Sequence, residues 1–542
     1  MSSVAGTPPA VGPRVIAPVR RKRSGRVPRW AAAAAIGTVS VAAVVASIAV
    51  ASPLLAIATV FGSLLALGII VRPAVATLVV VAVLYSNAAV IAVRFHDVPF
   101  FVAAAVPALL IPPMAAFVIL ERRPIVITSA LPWIGIFLID QLLSGIVSSD
   151  VPTAWDIVVT FVEEGFLLYF LVTNVVRSRE TVIAIAWILV MVGGALGALT
   201  FYQDATGTYD NPYWGFAQKS DAAITVDETL GGDVAKYRLA GNIGEKNRYA
   251  QIMLMLVPLG LFLAIAERRT GYRLLALGAT VFISLGVALT FSRGAAVGFA
   301  LLVVIMVALG YIRPRHVLVV ILGAAMLLVA VPAYGERLGA LVTTSSEVSS
   351  TGIDQADGAI QSRITEGLAA LLAFADHPLL GVGPGQFPAV YRQYADVVGI
   401  RVLASDRQAH NLYLGLAAEL GIVGITVFLV ILGVTLRDLA RARQATRTLD
   451  PMLSALATGF LLSIVSYLTT GLFLHMTFVR YFWLMMALAA ATAVVAMARA
   501  RELSAAVEPA EPADPDEAAE LTGPDGRTTG PTPLGVAPGR PG

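Results

Sequence analysis

The side chains best suited to chemistry are a histidine and two arginines that adjoin long apolar segments. His410, one of five histidines, stands where an apolar segment begins, and a neutral imidazole there could accept a proton near neutral pH. Arg293 interrupts two apolar segments within Thr290–Gly294, and Arg238 lies in a polar, aromatic stretch rather than at a segment end. Such isolated charges are usually functional or paired. The alternatives are an arginine that snorkels to the membrane interface and a histidine that only caps it.

Weaker candidates lie close to these three in the sequence. Lys246 and Arg248 directly precede an apolar segment, where they would either bind substrate or anchor the interface. Arg363 opens an amphipathic stretch that would pack on the membrane surface or on the roof of the bundle. The glycines of residues 381–385 follow no strand and precede no Lys-Ser/Thr, so they indicate a tight surface turn rather than a phosphate loop. The apolar stripe of the amphipathic stretch consists of Ile364, Leu368, Leu371, Leu372 and Phe374.

The composition predicts a membrane protein. Hydrophobic residues make up 57% and charged residues 13% of the 542-residue chain, and its mean hydropathy is +0.80. A soluble domain is about 45–50% apolar and about 25% charged. The chain has no cysteine, which excludes disulfides, thiolate catalysis and cysteine-ligated metals. The sequence also shows no outward His, Asp or Glu cluster with metal-ligand spacing, so we expect neither a metal nor a cofactor.

The apolar segments predict an all-α, polytopic membrane bundle of 12–14 transmembrane helices. Each segment approaches the roughly 20 residues that cross the hydrocarbon core as a helix. The segments are continuous and rich in Ala, Leu and Val rather than alternating, which favours helices over strands. Fourteen candidate spans lie near residues 30–51, 53–71, 73–93, 99–120, 124–147, 154–175, 180–201, 249–266, 274–290, 294–311, 317–333, 411–436, 451–471 and 479–498.

The positions of Lys and Arg predict that both termini are cytoplasmic. Basic residues fill the tail 1–29 and recur in alternate connections, whereas the opposite side holds two long loops, about 202–248 and 334–410. We therefore expect these loops to be extracytoplasmic and the larger one to contain amphipathic helices. Residues 30–498 would form the transmembrane domain, and 499–542 a disordered, acidic, Pro-rich cytoplasmic tail. The basic residues in the connections are Arg122, Arg123, Arg177, Arg179, Arg268, Arg269, Arg273, Arg313, Arg315, Arg437, Arg441, Arg443 and Arg447.

The motifs around the candidate residues resemble those of the O-antigen ligase and polymerase (Wzy-like) superfamily. Their order around one large outer loop carries the resemblance over about residues 230–435, and the flanking spans match only in hydropathy. The motifs are Arg238–Gly241 followed by Asn247 and Ala250, then Ser292–Gly294, His377–Gly383, Ala409–Leu414 and Glu419–Gly421.

The resemblance implies a metal-independent membrane glycosyltransferase that moves a glycan from undecaprenyl diphosphate to an acceptor hydroxyl outside the cytoplasm. Guanidinium groups bind phosphate oxygens in bidentate fashion and would stabilise charge on the leaving diphosphate. His410 would accept the hydroxyl proton or, as imidazolium, bind the diphosphate. The basic and acidic tails differ from Gram-negative ligases, so lipid A core is not implied as acceptor. The implied catalytic residues are His410, Arg293 and Arg238, with weaker substrate-binding roles for Arg363, Asn247, Lys246, Arg248 and Asn411.

Alternatives stay open on the basis of sequence. The reaction could be ligation or polymerisation, and the acceptor a glycan, a lipid or a protein. A transporter or flippase without chemistry would place ionisable groups at mid-membrane depth, where Asp140-Gln141 and Glu163-Glu164 are candidates. Arginines and a histidine at the outer face favour the enzyme. We expect a multi-pass protein of the inner or plasma membrane whose partners are a lipid-linked glycan donor, an acceptor and membrane lipids, without nucleic acid.

Overall fold

The computed structural model describes residues 73–104, 106–224, 236–311, 350–404, 406–475 and 479–507. Nearly all of them belong to one compact unit, Thr77–Gly542. Three predicted spans, near 30–51, 53–71 and 317–333, lie outside the described residues. The predicted amino-terminal tail and most of the predicted carboxy-terminal tail also lie outside them.

Helices make up most of the described chain. Short 3₁₀ turns cover Pro107–Leu110 and Tyr213–Gly215, and π-helical turns cover Ala116–Leu120 and Val162–Leu167. The α-helices are α1 Pro73–Tyr85, α2 Ala88–His96, α3 Phe100–Ala104, α4 Ile111–Ala115, α5 Leu131–Ile146, α6 Val151–Phe161, α7 Leu168–Val175, α8 Arg179–Thr206, α9 Lys246–Ala266, α10 Thr270–Ala288, α11 Arg293–Ala308, α12 Ser350–Asp376, α13 Phe387–Val398, α14 Leu412–Thr446, α15 Pro451–Thr470 and α16 Val479–Val507.

The prediction of an all-α polytopic membrane protein is confirmed. Among the described residues, seven helical stretches are long and apolar enough to cross a membrane: Phe100–Ile119, α8, α9, α10, α14, α15 and Arg480–Ala506 of α16. The pair α1 and α2, bent by 56°, could form an eighth, and α5 and α11 are shorter apolar helices. The predicted span near 154–175 is helical as well, with a π-turn between α6 and α7.

Helix α9 lies at the centre of the bundle. It packs against α10 and α15, and α8 packs against α10. Most of α9 is buried, as expected for a helix that is apolar on all sides. Small residues allow the close approach of α8 and α10, because a Cβ at Gly197 would lie 2.1 Å from the carbonyl oxygen of Phe282. This packing fixes the helix that carries Asn247 and Arg248.

The first long loop contains a two-stranded antiparallel ribbon that the sequence analysis did not predict. The loop runs from the end of α8 to the start of α9, and its strands are β1 Gln218–Ile224 and β2 Lys236–Gly241. Gln218 pairs with Gly241 and Lys219 with Leu239. The β1 sequence, Gln-Lys-Ser-Asp-Ala-Ala-Ile, lacks the alternation of polar and apolar residues that reveals a half-buried strand.

The second long loop contains the predicted amphipathic helices, α12 and α13. Small residues of α12, such as Ala369 and Ala373, are buried together with Tyr391 of α13. Ile364, Leu368 and Leu371 of the predicted stripe are instead exposed. These three side chains are therefore available to a membrane surface, which is one of the two predicted environments of the stripe.

Candidate active site

Strand β2 brings Arg238 to the turn that precedes α11. The Arg238 Nε donates to the carbonyl of Thr290 at 2.9 Å, and its Nη2 donates to the carbonyl of Phe291 at 3.0 Å. The same Nη2 lies 3.4 Å from Oδ1 of Asn247. Arg238 and Asn247 are therefore brought together at the turn that leads into Arg293.

The turn before α11 leaves Arg293 exposed at the first position of the helix. Phe291 has a φ of 51°, a left-handed conformation that reverses the chain between α10 and α11. The Ser292 hydroxyl caps α11 by accepting from the N–H of Ala295 at 3.4 Å. A Cβ added at Gly294 would lie 3.0 Å from the side chain of Phe473, so the start of α11 packs closely on the segment after α15.

The segment 471–475 also contacts the start of α14. The Oδ1 of Asn411 accepts from the N–H groups of Tyr413 and Leu414, both at 3.0 Å, so Asn411 caps this helix. Its Nδ2 donates to the carbonyl of Leu472 at 3.2 Å. Segment 471–475 thus connects the two helix starts that carry Arg293 and His410. Because the cap engages Oδ1 and the bond to Leu472 engages Nδ2, the structure gives Asn411 an architectural role.

His410 faces a buried carboxylate that the sequence analysis missed. Its Nδ1 lies 2.9 Å from the carbonyl of Gln408 and 3.0 Å from Oε2 of Glu366, a residue of α12. Glu366 is fully buried, and its Oε1 accepts from Nε of Arg407 at 2.7 Å. Burial raises the pKa of Glu366, but the nearby His410 ring and the hydrogen bond and positive charge of Arg407 outweigh it and hold the pKa below its usual value. Glu366 is therefore a buried, ionised carboxylate.

A second histidine, His475, lies beside His410 and was also missed. The two ring centroids are 5.6 Å apart and the rings are nearly perpendicular. Burial lowers the pKa of His475 to about 2, and the positive charges of Arg248 and His410 act in the same direction. Its Nδ1 is buried and has no hydrogen-bond partner among the described residues. A neutral imidazole thus lies against the His410 ring.

The remaining predicted residues occupy different surroundings. Arg248 is buried in α9, where its Nη1 donates to Oε1 of Gln251 at 3.1 Å, so the interpretation as an interfacial anchor does not hold for it. Lys246 Nζ donates to the hydroxyl of Ser220 in β1 at 3.1 Å. Arg363 is exposed on α12, one helical turn before Glu366. In the described part of the chain, no group of three or more His, Asp or Glu residues could hold a metal ion.

The glycine loop 381–385 surrounds Glu419 of α14. The loop is a tight turn as predicted, but it is buried rather than at the surface. The Glu419 carboxylate accepts from the backbone N–H groups of Gly385 and Phe387, and the Glu419 carbonyl accepts from the N–H of Gly383 at 3.0 Å. Gly381 has a φ of 69° and a Cβ there would meet the Glu419 backbone at 2.3 Å, which explains the glycine. This motif holds the large loop on α14.

Of the mid-membrane candidates for a transporter, Asp140 and Gln141 are buried, Glu164 is paired, and Glu163 is exposed. Glu164, on the π-turn after α6, forms an ion pair with Arg480 of α16 at 3.2 Å, and the same arginine donates to Asn87. Both carboxylate oxygens of Asp140 are buried without a hydrogen-bond partner in the described residues. A cavity of about 110 Å³ adjoins the Arg480 pair and is otherwise lined mostly by apolar side chains.

Comparison with known families found one match. Residues 278–429 match the family model described as O-antigen ligase. Over this segment the chain is similar to the O-antigen ligase family. The match confirms the resemblance to the O-antigen ligase and Wzy-like superfamily, and it contains Arg293, Glu366 and His410. No curated protein matches the chain.

The match to the O-antigen ligase family indicates a glycan-transfer or ligase role in polysaccharide biosynthesis. Together with the apolar helices, it indicates a multi-pass inner-membrane protein and an enzyme of membrane glycosyltransferase type. Four residues near the site lie outside the matched segment in sequence and are brought to it by the fold: Arg238, Asn247, Arg248 and His475.

Proposed function

We propose that this protein transfers a glycan from undecaprenyl diphosphate to an acceptor hydroxyl at the extracytoplasmic face. The observation that carries the proposal is the contact of segment 471–475 with the starts of both α11 and α14. Through it, Arg293 and His410 come to one end of the bundle, next to the turn that Arg238 holds. This end of the bundle therefore combines the positive charge of Arg293, which a diphosphate requires, with His410, a base for the acceptor hydroxyl.

The reaction is a single displacement at the anomeric carbon. The acceptor oxygen forms a bond to this carbon, the bond from the carbon to the diphosphate oxygen breaks, and the diphosphate leaves with the electron pair. Arg293 is exposed and would bind the leaving diphosphate, where fixed positive charge stabilises the transition state. Arg238 would act on the same diphosphate and also orient the turn before Arg293. In this mechanism the arginines replace a metal ion.

His410 would accept the proton of the attacking hydroxyl. Its Nδ1 faces two acceptor oxygens, so Nε2 is the nitrogen that carries the lone pair and takes the proton. Inversion at the anomeric carbon follows from the single displacement. The other role proposed for His410, binding the diphosphate as imidazolium, would use the same position.

We further propose that both termini and the tails 1–29 and 499–542 are cytoplasmic, and that residues 30–498 form the catalytic membrane domain. This topology places the ribbon β1–β2 and the helices α12 and α13 outside the cytoplasm. Asn247, Lys246, Arg248, Arg363 and Asn411 stay weaker candidates for substrate contact. The acceptor can be a glycan, a lipid or a protein, which covers both ligation and polymerisation.

Glycan profiling of cells that lack the protein tests this function. Cells are complemented with wild type, His410→Ala, Arg293→Ala or the matched control Arg392→Ala, an exposed arginine of α13. We expect the control to restore the surface glycan. The two site variants should reach the membrane, fail to restore it and leave carrier-linked glycan in the outer leaflet. Accumulation in the cytoplasmic leaflet would identify a flippase instead, and full complementation would refute the site.

A further inference from the structure

Glu366 is a buried charge whose partners both lie at the entry to α14. Its carboxylate is fully buried, with Arg407 on Oε1 at 2.7 Å and His410 facing Oε2 at 3.0 Å. Burial of a carboxylate is costly unless the charge is paired and hydrogen-bonded. The chain between Arg407 and His410 is therefore held against α12 by an ionised group rather than by apolar packing alone.

The surroundings of the His410 ring define its tautomer. The carbonyl oxygen of Gln408 and the Oε2 of Glu366 are both acceptors, and both lie within 3.0 Å of Nδ1. Nδ1 must therefore carry the hydrogen in the neutral ring, which leaves the lone pair on Nε2. His410 also has a φ of 46°, a left-handed conformation that a non-glycine residue keeps only when its contacts hold it there.

Titratable groups of three elements lie around the His410 ring. Glu366 on α12 places a negative charge beside Nδ1, while Arg407, in the segment before α14, neutralises part of that carboxylate charge. His475 in segment 471–475 is neutral and contacts the ring edge-on, and the positive charge of Arg248 on α9 acts on His475. The negative charge of Glu366 is in direct contact with Nδ1 and opposes the positive charges of the other groups.

We propose that Glu366 is a positioning residue that fixes the tautomer and orientation of His410 and stabilises its imidazolium form. This inference rests on the proposed function, in which His410 is the base. When the acceptor hydroxyl gives its proton to Nε2, the hydrogen on Nδ1 stays in place and the Glu366 carboxylate stays ionised. The developing positive charge on the ring then faces a negative charge that is already buried and oriented. Arg407 would hold the carboxylate in the correct position.

Steady-state glycan transfer as a function of pH tests the proposal. Purified full-length wild type, Glu366→Gln, Glu366→Asp and Arg407→Gln are compared in lipid vesicles. For Glu366→Gln we expect kcat to fall by up to about 100-fold, with an almost unchanged KM for the lipid-linked donor. The acidic limb of the pH profile should move to lower pH. Glu366→Asp should recover part of the kcat. Arg407→Gln should shift the acid side to higher pH, because the carboxylate charge is then less neutralised.

The outcomes separate this inference from the proposed function. Full activity of His410→Ala would refute the proposed function and the role of Glu366 with it. An inactive His410→Ala together with a Glu366→Gln variant that keeps the wild-type kcat and acid limb would refute only the positioning role. If Glu366→Gln does not fold, Arg407→Gln and Glu366→Asp decide, because a merely structural role lowers the yield of folded protein without moving the acid limb.

Discussion

Replacement of Arg238 by lysine should slow glycan transfer even though it keeps the positive charge. The guanidinium donates from Nε and Nη2 to two consecutive carbonyls, those of Thr290 and Phe291, at 2.9 and 3.0 Å. A lysine ammonium on its flexible stem cannot reproduce this fork. A hydrogen bond that involves a charged group contributes about 1.5–3 kcal/mol to stability, so the loss of one would lower kcat/KM by at most about 10- to 150-fold if all of it were lost from the transition state.

The assay is kcat/KM for glycan transfer by purified protein, with wild type, Arg238→Lys and Arg238→Ala compared. Arg238→Ala should be slower than Arg238→Lys, because it leaves both carbonyls of the turn without their donor. Arg392→Lys on α13 is the matched control and should behave like wild type. Wild-type kcat/KM for Arg238→Lys would show that the fork on the turn does not position Arg293, and it would refute the reasoning.

Three further predictions concern the architecture around the site, and thermal unfolding in detergent measures all of them. Gly421→Ala should destabilise the protein by at least about 2 kcal/mol, because Gly421 has a φ of 64° and a Cβ would lie 2.2 Å from the Leu379 carbonyl oxygen. Gly433→Ala is the control, because no atom lies within 4 Å of a Cβ at Gly433. Asn411→Ala should cost about 1 kcal/mol through the lost cap, and an unchanged midpoint would contradict that role. The pKa of His475 is about 2 in the folded protein, against an ordinary value of 6.5 in the unfolded chain. As the pH falls below 6.5, the unfolded chain therefore binds a proton at His475 that the folded protein does not bind. The free energy of unfolding should then drop by up to about 1.4 kcal/mol per pH unit. His475→Gln should lose less stability than wild type between pH 7 and pH 5, and equal losses would refute this linkage.

Hydropathy predicts the fold well because a helix in lipid must satisfy its own backbone groups and present apolar side chains over its whole length. The predicted spans that fall within the described residues coincide with helices for this reason. The ribbon β1–β2 could not be predicted in the same way. Its strand β2 contacts the turn after α10 through Arg238, and such a contact between distant parts of the chain leaves no local pattern in the sequence.

The site is only partly visible in the sequence. Arg238, Arg293 and His410 stand out because each is isolated beside apolar segments or within a recognisable motif. His475 follows an apolar helix just as His410 precedes one, so the reasoning that selected His410 also applied to it. Glu366 gives no such signal, since an acidic residue on an amphipathic helix usually faces water. Its burial results from the way α12 packs against the entry to α14.

The most direct test of the central claim uses purified protein in vesicles that contain undecaprenyl diphosphate-linked glycan, with acceptor present on the extracytoplasmic side. Transferred glycan and released undecaprenyl diphosphate are both quantified for wild type and His410→Ala. The account predicts that wild type forms both products in equal amounts, and that His410→Ala binds the donor but forms neither. Turnover by His410→Ala at the wild-type rate, or movement of the donor across the bilayer by wild type without product, would contradict it.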